Sequence, residues 1–383
     1  MKLNHIYKSI ACGVLLAMTA TSCDLDYNPV DTYSDVTEGV NKTDEKPIFN
    51  SVQDVETSMV TLHKKFRDRQ EHWYVDKLLI GDAHSDNAYA GTTGAEVVPY
   101  ETNSIEGSNS VLKRDWDRFL GDIAVANRII VGCDQLKALS ESERGKYQSQ
   151  AKIFRAMVMF DMVRLWGNFP VITTVGGDIT EDNVEEMYPT YFPPQNTAEE
   201  AYAQIEKDLT EAVENPNTPT NDTSDKSILT KSVARAMLAK VYAEKPLRDY
   251  AKVIKYADEL AADGFDLVED FSDLWAYDTE KKDCRVRNTK EAILEAHFPP
   301  GSGNWCTWMF GRNLSNWDES FTWAKWITPS RDLIRLYEEQ GDTKRYNESV
   351  VWYDCGWSNY YPADHYAFMY NCLLYTSPSP RDT

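Results

Sequence analysis

Between Tyr147 and Trp166 the apolar residues return at Ala151, Phe154, Val158, Met162 and Leu165, in steps of three and four. That period predicts a helix. A second stripe, Ile153, Met157, Phe160 and Val163, fills much of the opposite side. A helix that is apolar nearly all round is buried among other helices. Arg155 and Arg164 interrupt it, and arginines buried there require carboxylates or helix-end carbonyls as partners. Gly167 should end the helix, and Pro170 should prevent its resumption.

The same periodicity predicts further helices on either side. Val52, Val55, Met59, Leu62 and Phe66 follow Ser51, a candidate N-cap. Leu112, Trp116, Phe119, Ile123, Asn127 and Ile130 form a second long stripe, and a buried Asn127 should satisfy neighbouring polar groups. Thr197 and Glu200 make a capping-box pattern before Ala201, Ile205, Leu209, Ala212 and Val213. Thr230 to Ala243 and Tyr250 to Ala262 read as a helix pair with alanines at close contacts and a shared tyrosine position, similar to tetratricopeptide repeats. Asp82 to Gly91, Thr173 to Pro194 and Asn215 to Lys226 carry no period and read as loops. Asn288 to Phe298 is expected to be a strand around Ile293-Leu294, and Pro329 to Gln340 a capped helix. The expectation is a mainly α fold: a TPR-like helix-pair scaffold with long irregular loops and minor β.

Composition adds a partner class and removes others. A chain of 383 residues with 42% hydrophobic content buries a large core. A formal charge of −21 argues against nucleic acid and against adhesion to anionic lipid. Eleven Trp and 22 Tyr suit a large core and also flat platforms for sugars or peptides. At the N-terminus, basic Lys2 and Lys8 precede the apolar run Ile10 to Met18, which is too short to span a bilayer. Ala20-Thr21-Ser22-Cys23 then resembles a bacterial lipobox, so residues 1–22 are expected to be a signal peptide and Cys23 the lipidated residue. Residues 23–50 read as a polar tether, with a folded domain over 51–371. From Cys372 to Thr383 the sequence CLLYTSPSPRDT is similar to the translation of a sequencing-library adapter. These residues are therefore expected to be foreign to the domain, with the natural frame continuing past Asn371 and the domain cut short at its C-terminal end. Cys133, Cys284, Cys306 and Cys355 match no zinc pattern and leave disulfides and free thiols equally open.

Catalytic signatures are absent from the sequence. It has no GxSxG, HExxH, Walker A or dinucleotide fingerprint, its six histidines show no metal-ligand spacing, and no cofactor is implied. Asp82, Asp86 and Asn87 do not follow an EF-hand spacing. The positive feature is aromatic. A sugar ring packs its C–H face on Trp or Tyr while Asn, Asp and Arg satisfy its hydroxyls. Trp305, Trp308, Trp317 and Trp323 lie in a Trp-rich, helix-poor stretch, and Asp86, Asn87 and Tyr89 lie in the irregular loop that begins at Asp82. These seven residues are the candidate ligand-binding set.

Residue order narrows the picture. FRAMVMFDMVRLWGNFPVIT, from Phe154 to Thr173, closely resembles the "LRAxxYFxLVRLFGxVPL" signature of SusD/RagB nutrient-binding outer-membrane lipoproteins of Bacteroidetes. GDAHSDNAYAG resembles that family's "GDxxTDxxYxG" loop beside the ligand surface, ANRIIVG its "ANxII" segment, NTKEAILEAHF its "ExIfxixf" strand, and PSRDLIRLYEEQGDTKRY its "PTxxLVDxYExxDxRR" segment. Asp24 and Asp26 after Cys23 resemble the surface-export signal of such lipoproteins. The resemblance runs from Cys23 to about Tyr346. It implies a non-catalytic, lipid-anchored protein of the cell surface that captures glycan fragments and hands them to a SusC-like TonB-dependent transporter. Capture of peptides, as in RagB-like members, is a close alternative. A surface-anchored glycoside hydrolase on a helical scaffold is a more distant one.

Overall fold

A computed structural model describes residues 47–90, 96–298, 327–349, 351–352 and 375–376, except residues 178, 180, 182, 245, 275–276, 279 and 281–282. The described elements belong to a compact unit that begins at Ile48. Its scaffold is helical. Helix α1 spans Val52–Asp68 and opens with a capping box between Ser51 and Asp54. Two π-helical turns follow, Glu71–Asp76 and Leu79–Ala83, and then strand β1, Ala88–Ala90. After the short helix α2, Val98–Glu101, come two 26-residue helices, α3 from Ser110 to Gln135 and α4 from Glu141 to Trp166. A connector containing α5, Val184–Met187, and a 3-10 turn leads to α6, Ala198–Glu214. Helices α7, Lys231–Ala243, and α8, Tyr250–Ala262, form the next pair. Beyond them lie β2, Tyr277–Asp278, paired with β3, Asp283–Cys284, and then β4, Ile327–Pro329. The last described elements are α9, Arg331–Gln340, α10, Thr343–Ser349, and the paired strands β5, Val351–Trp352, and β6, Tyr375–Thr376.

Helix α4 is the centre of the scaffold, packing on α3 along one side and α6 along another. Ile153, Phe154, Val158, Met159 and Met162 are wholly buried, which accounts for apolar residues on every side of the helix. The helix begins six residues before Tyr147. Its first turn is polar and carries no apolar period, but Ser140 and Glu143 close a capping box there. Gly167 ends it at a φ of 72°, a conformation other residues adopt at a steric cost. Arg155 is buried as expected and meets Asp208. Arg164 is not buried: it sits at the exposed end of α4 and pairs with Glu244 at 3.0 Å.

The succession continues with α6 on α7 and α7 on α8. Tyr242 and Tyr256 stack with their rings 3° from parallel, the shared tyrosine of the TPR-like pair. One expected strand does not form. Residues 288–298 run as turns and irregular chain. Asn288 takes a φ of 55°, and Ala292 N–H turns back to the Thr289 carbonyl. Scattered bonds, from Glu295 N–H to the Lys226 carbonyl and from Asp266 N–H to the Lys290 carbonyl, replace a ladder, although Ile293 and Leu294 still pack on the core. Cys133 is a free thiol, and burial raises its pKa to about 12.

Candidate functional site

The loop from Asp82 to Asn87 and the ribbon after it are held by a small core of their own. Leu79 and Ala83 turn inward from the second π-helical turn and meet Ala88, Val97, Tyr100 and Val111. Ser85 Oγ donates to the Asp82 carbonyl at 2.9 Å and accepts from Asn87 N–H at 3.2 Å. Strand alternation then places Ala88 inside and Tyr89 outside, 37% exposed. Burial raises the pKa of Asp82, against a side-chain hydrogen bond with Asn87 that lowers it. Asp86 and Asn87 are exposed.

Strand β1 pairs antiparallel with β4, setting Ala88 opposite Pro329, Tyr89 opposite Thr328 and Ala90 opposite Ile327. Ser330 continues the pairing, its N–H donating to the Asn87 carbonyl at 2.8 Å, while its hydroxyl caps α9 through Leu333 N–H. Two segments more than 230 residues apart in sequence thus share one ribbon. Asp86, Asn87 and Tyr89 lie together at its surface. Trp305, Trp308, Trp317 and Trp323 lie outside the described residues, as does Cys23.

The first π-helical turn, α3 and α4 enclose a buried polar cluster. His72 Nδ1 is 2.8 Å from Asp115 Oδ2, and its Nε2 is 3.0 Å from Asp161 Oδ2. Two carboxylates facing one ring favour the doubly protonated imidazolium, which donates to both. Burial works to lower the His72 pKa, but the two aspartates outweigh it and raise it. Lys77 Nζ reaches Asp161 at 3.0 Å and also lies 4.6 Å above the Trp73 ring. Burial of Asp161 is outweighed by Lys77 and His72, which lower its pKa to about 2. Arg114 bonds Asp76 Oδ2, and its Nε lies 3.7 Å from Asp115 Oδ1. Burial, reinforced by the nearby Asp115 charge, raises the Asp76 pKa to about 7. Phe119 stands edge-on to the His72 ring at 4.2 Å.

The periodicity of the sequence did not reveal this cluster. Its one local signal is His72 and Asp76 at the i, i+4 spacing, which puts both on one helical face. Asp115 and Asp161 arrive from other helices. With both nitrogens of His72 taken by carboxylates, the ring is not free to act as a base toward a bound molecule.

Comparison with known proteins follows the same outline. A family model named SusD-like and described as starch-binding, associating with the outer membrane, matches residues 33–243. A SusD-like protein of Bacteroides ovatus is 25% identical over 309 residues, covering 77% of this chain and 50% of its own length. The chain therefore spans about half the length of that relative. Among solved structures, the surface glycan-binding protein A of Bacteroides fluxus superposes with a TM-score of 0.62 at 20% identity, over 87% of this chain and 71% of that one. A laminarin-binding SusD-like protein gives 0.56 at 18%, over 76% and 65%. A SusD superfamily protein from Bacteroides vulgatus gives 0.59 at 15%, over 76% and 58%. At these identities the structural likenesses establish the fold.

Proposed function

The chain belongs to the SusD-like family, and on that premise we propose that it is a non-catalytic surface lipoprotein that captures glycan fragments and delivers them to a SusC-like TonB-dependent transporter. The observation that carries the binding surface is the β1–β4 ribbon. It sets exposed Tyr89 opposite Thr328, and Trp323 lies four residues before Ile327, where β4 begins. Tyr89, Trp305, Trp308, Trp317 and Trp323 would stack on sugar rings, and Asp86 and Asn87 would bond hydroxyls. Loops held by a rigid scaffold are where binding residues concentrate. Relatives named for glycan and laminarin binding share the fold, which favours a glycan over a peptide.

The test is binding of the purified protein to a glycan and peptide array, with the same glycans then assayed for hydrolysis. Binding to a glycan class without turnover is expected. Binding to peptides alone would instead make it a RagB-like carrier, and turnover would make it a hydrolase.

Attachment to the outer membrane is assigned to a lipid on Cys23. No helix among the described residues is long and apolar enough to cross a membrane. Cys23→Ala should move the protein from the membrane to the soluble fraction, since one acylated residue carries the whole anchor. Continued partition with the outer membrane, when expressed without a transporter, would remove Cys23 from that role.

A further inference from the structure

We propose that His72, Asp76 and Asp115 are the ligands of a buried divalent-cation site of the zinc or manganese class. One donor atom from each of the three lies within 4.8 Å of the others. All three residues are almost completely buried, at 2%, 0% and 0% exposure. The independent observation is a pair of stranded acceptors. Asp76 Oδ1 is buried with no hydrogen-bond donor, and Asp115 Oδ1 is buried with only the Arg114 Nε at 3.7 Å, beyond hydrogen-bond range. Buried carboxylate oxygens are ordinarily satisfied, and two unsatisfied ones in a single cluster call for a cation.

The surroundings are arranged as they are around metal ligands. His72 directs Nε2 at Asp161, which Lys77 holds in turn. A ligating histidine commonly donates its second N–H to a carboxylate in this way, which fixes the ring; Nδ1, now 2.8 Å from Asp115 Oδ2, would have to give up that contact's proton to bind the ion. Arg114 fixes Asp76 through Oδ2 and leaves Oδ1 free. One imidazole with two carboxylates is a donor set for zinc or manganese. Calcium prefers oxygen alone and more ligands.

The ion would take the place of the proton that otherwise bridges His72 Nδ1 and Asp115, and that proton leaves to solvent. With a neutral imidazole and all three aspartates ionised, Asp76, Asp115 and Asp161 carry one more negative charge than Arg114 and Lys77 neutralise, so a divalent ion would leave the cluster with one net positive charge. The ligands come from the first π-helical turn and α3, so the ion would clamp the turn that leads into the Asp82–Tyr89 loop. This site does not depend on the glycan reading.

Protein stripped with EDTA and dialysed against Zn²⁺, with Mn²⁺ and Ca²⁺ in parallel, is assayed for retained metal and melting temperature. One equivalent of zinc or manganese with a raised melting temperature is expected. Asp76→Asn and Asp115→Asn should each weaken binding by about tenfold or more while keeping the helical circular dichroism. Retention of only trace metal by the unaltered protein, or full retention by both variants, would overturn the proposal. Should the variants unfold, Co²⁺ in the unaltered protein decides. Visible bands of a low-coordinate nitrogen–oxygen site support the assignment, and the spectrum of the hydrated ion refutes it.

Discussion

Arg155 shows what one buried charge requires. Its Nε and Nη2 donate to both oxygens of Asp208 at 2.8 and 2.7 Å, and Nη1 donates to Asn127 Oδ1 at 2.7 Å. Asn127 in turn donates to the carbonyls of Ile172 and Thr174, so the network ties α3, α4, α6 and the chain after α4 together. The need for a partner was legible in the sequence, because a charge inside an apolar helix cannot stand alone. The identity of Asp208 was not, because 53 residues separate the pair. Asp208→Ala should destabilise the fold by about 3–5 kcal/mol, since it leaves the guanidinium uncompensated. Arg155→Met combined with Asp208→Leu should cost distinctly less than Asp208→Ala, as read from urea midpoints. Equal losses would mean that packing, rather than an unpaired charge, dominates. His63 makes a pH prediction. Burial lowers its pKa, although Gln150 at 3.1 Å partly offsets the effect. The unfolded chain then binds a proton more readily than the folded one, so stability falls as pH drops below about 6.5. The melting temperature should decline less between pH 7 and 5 in His63→Gln than in the unaltered protein.

Among elements, those with a complete local signal matched the structure. Ser51 and Thr197 cap the helices that their sequences announce, and Thr230, read as the first helical residue, is the N-cap of α7. Misreadings arose where tertiary contacts decide. The apolar Ile293-Leu294 centre looks like a strand, yet its backbone finds isolated partners in the 226 loop instead of a neighbouring strand. The π-helical turns carry no distinct residue pattern, and they position the buried cluster. Gly132 is a further case of distant control. It sits within α3, where alanine would be favoured by about 1 kcal/mol from propensity alone. An added Cβ there would lie 2.4 Å from the buried Phe49 ring and 3.0 Å from Ile48 Cγ2, in the chain just before α1. Gly132→Ala should therefore destabilise despite the better helix former. In a Phe49→Ala background the same change should be neutral or favourable, a coupling that a double-mutant cycle of denaturation midpoints measures.

At the scale of the whole molecule, scaffold and site were legible to different depths. The large helical core follows from apolar periodicity over whole helices, which few other folds can satisfy. The site does not, because a stacking tyrosine and a core tyrosine look alike in sequence until alternation in a strand turns one outward. The β1–β4 register does this for Tyr89 and joins its loop to the strand entered from the Trp-rich segment. If that ribbon is the ligand face, removing a ring should weaken binding without loosening the scaffold, which rests on the separate core around α4. Tyr89→Ala, Trp305→Ala and Trp308→Ala should each lose roughly 1–3 kcal/mol of binding free energy in calorimetry against the glycan found on the array. Their melting points should stay near that of the unaltered protein. Trp166→Ala is the contrasting variant. Trp166 stands edge-on to Trp116 at 5.2 Å and packs on the main core, so its loss should lower the melting point and spare the affinity of the folded fraction. Unchanged binding in the first three, or a common drop in melting point across all four, would place those aromatics in packing roles and move the ligand face elsewhere on the molecule.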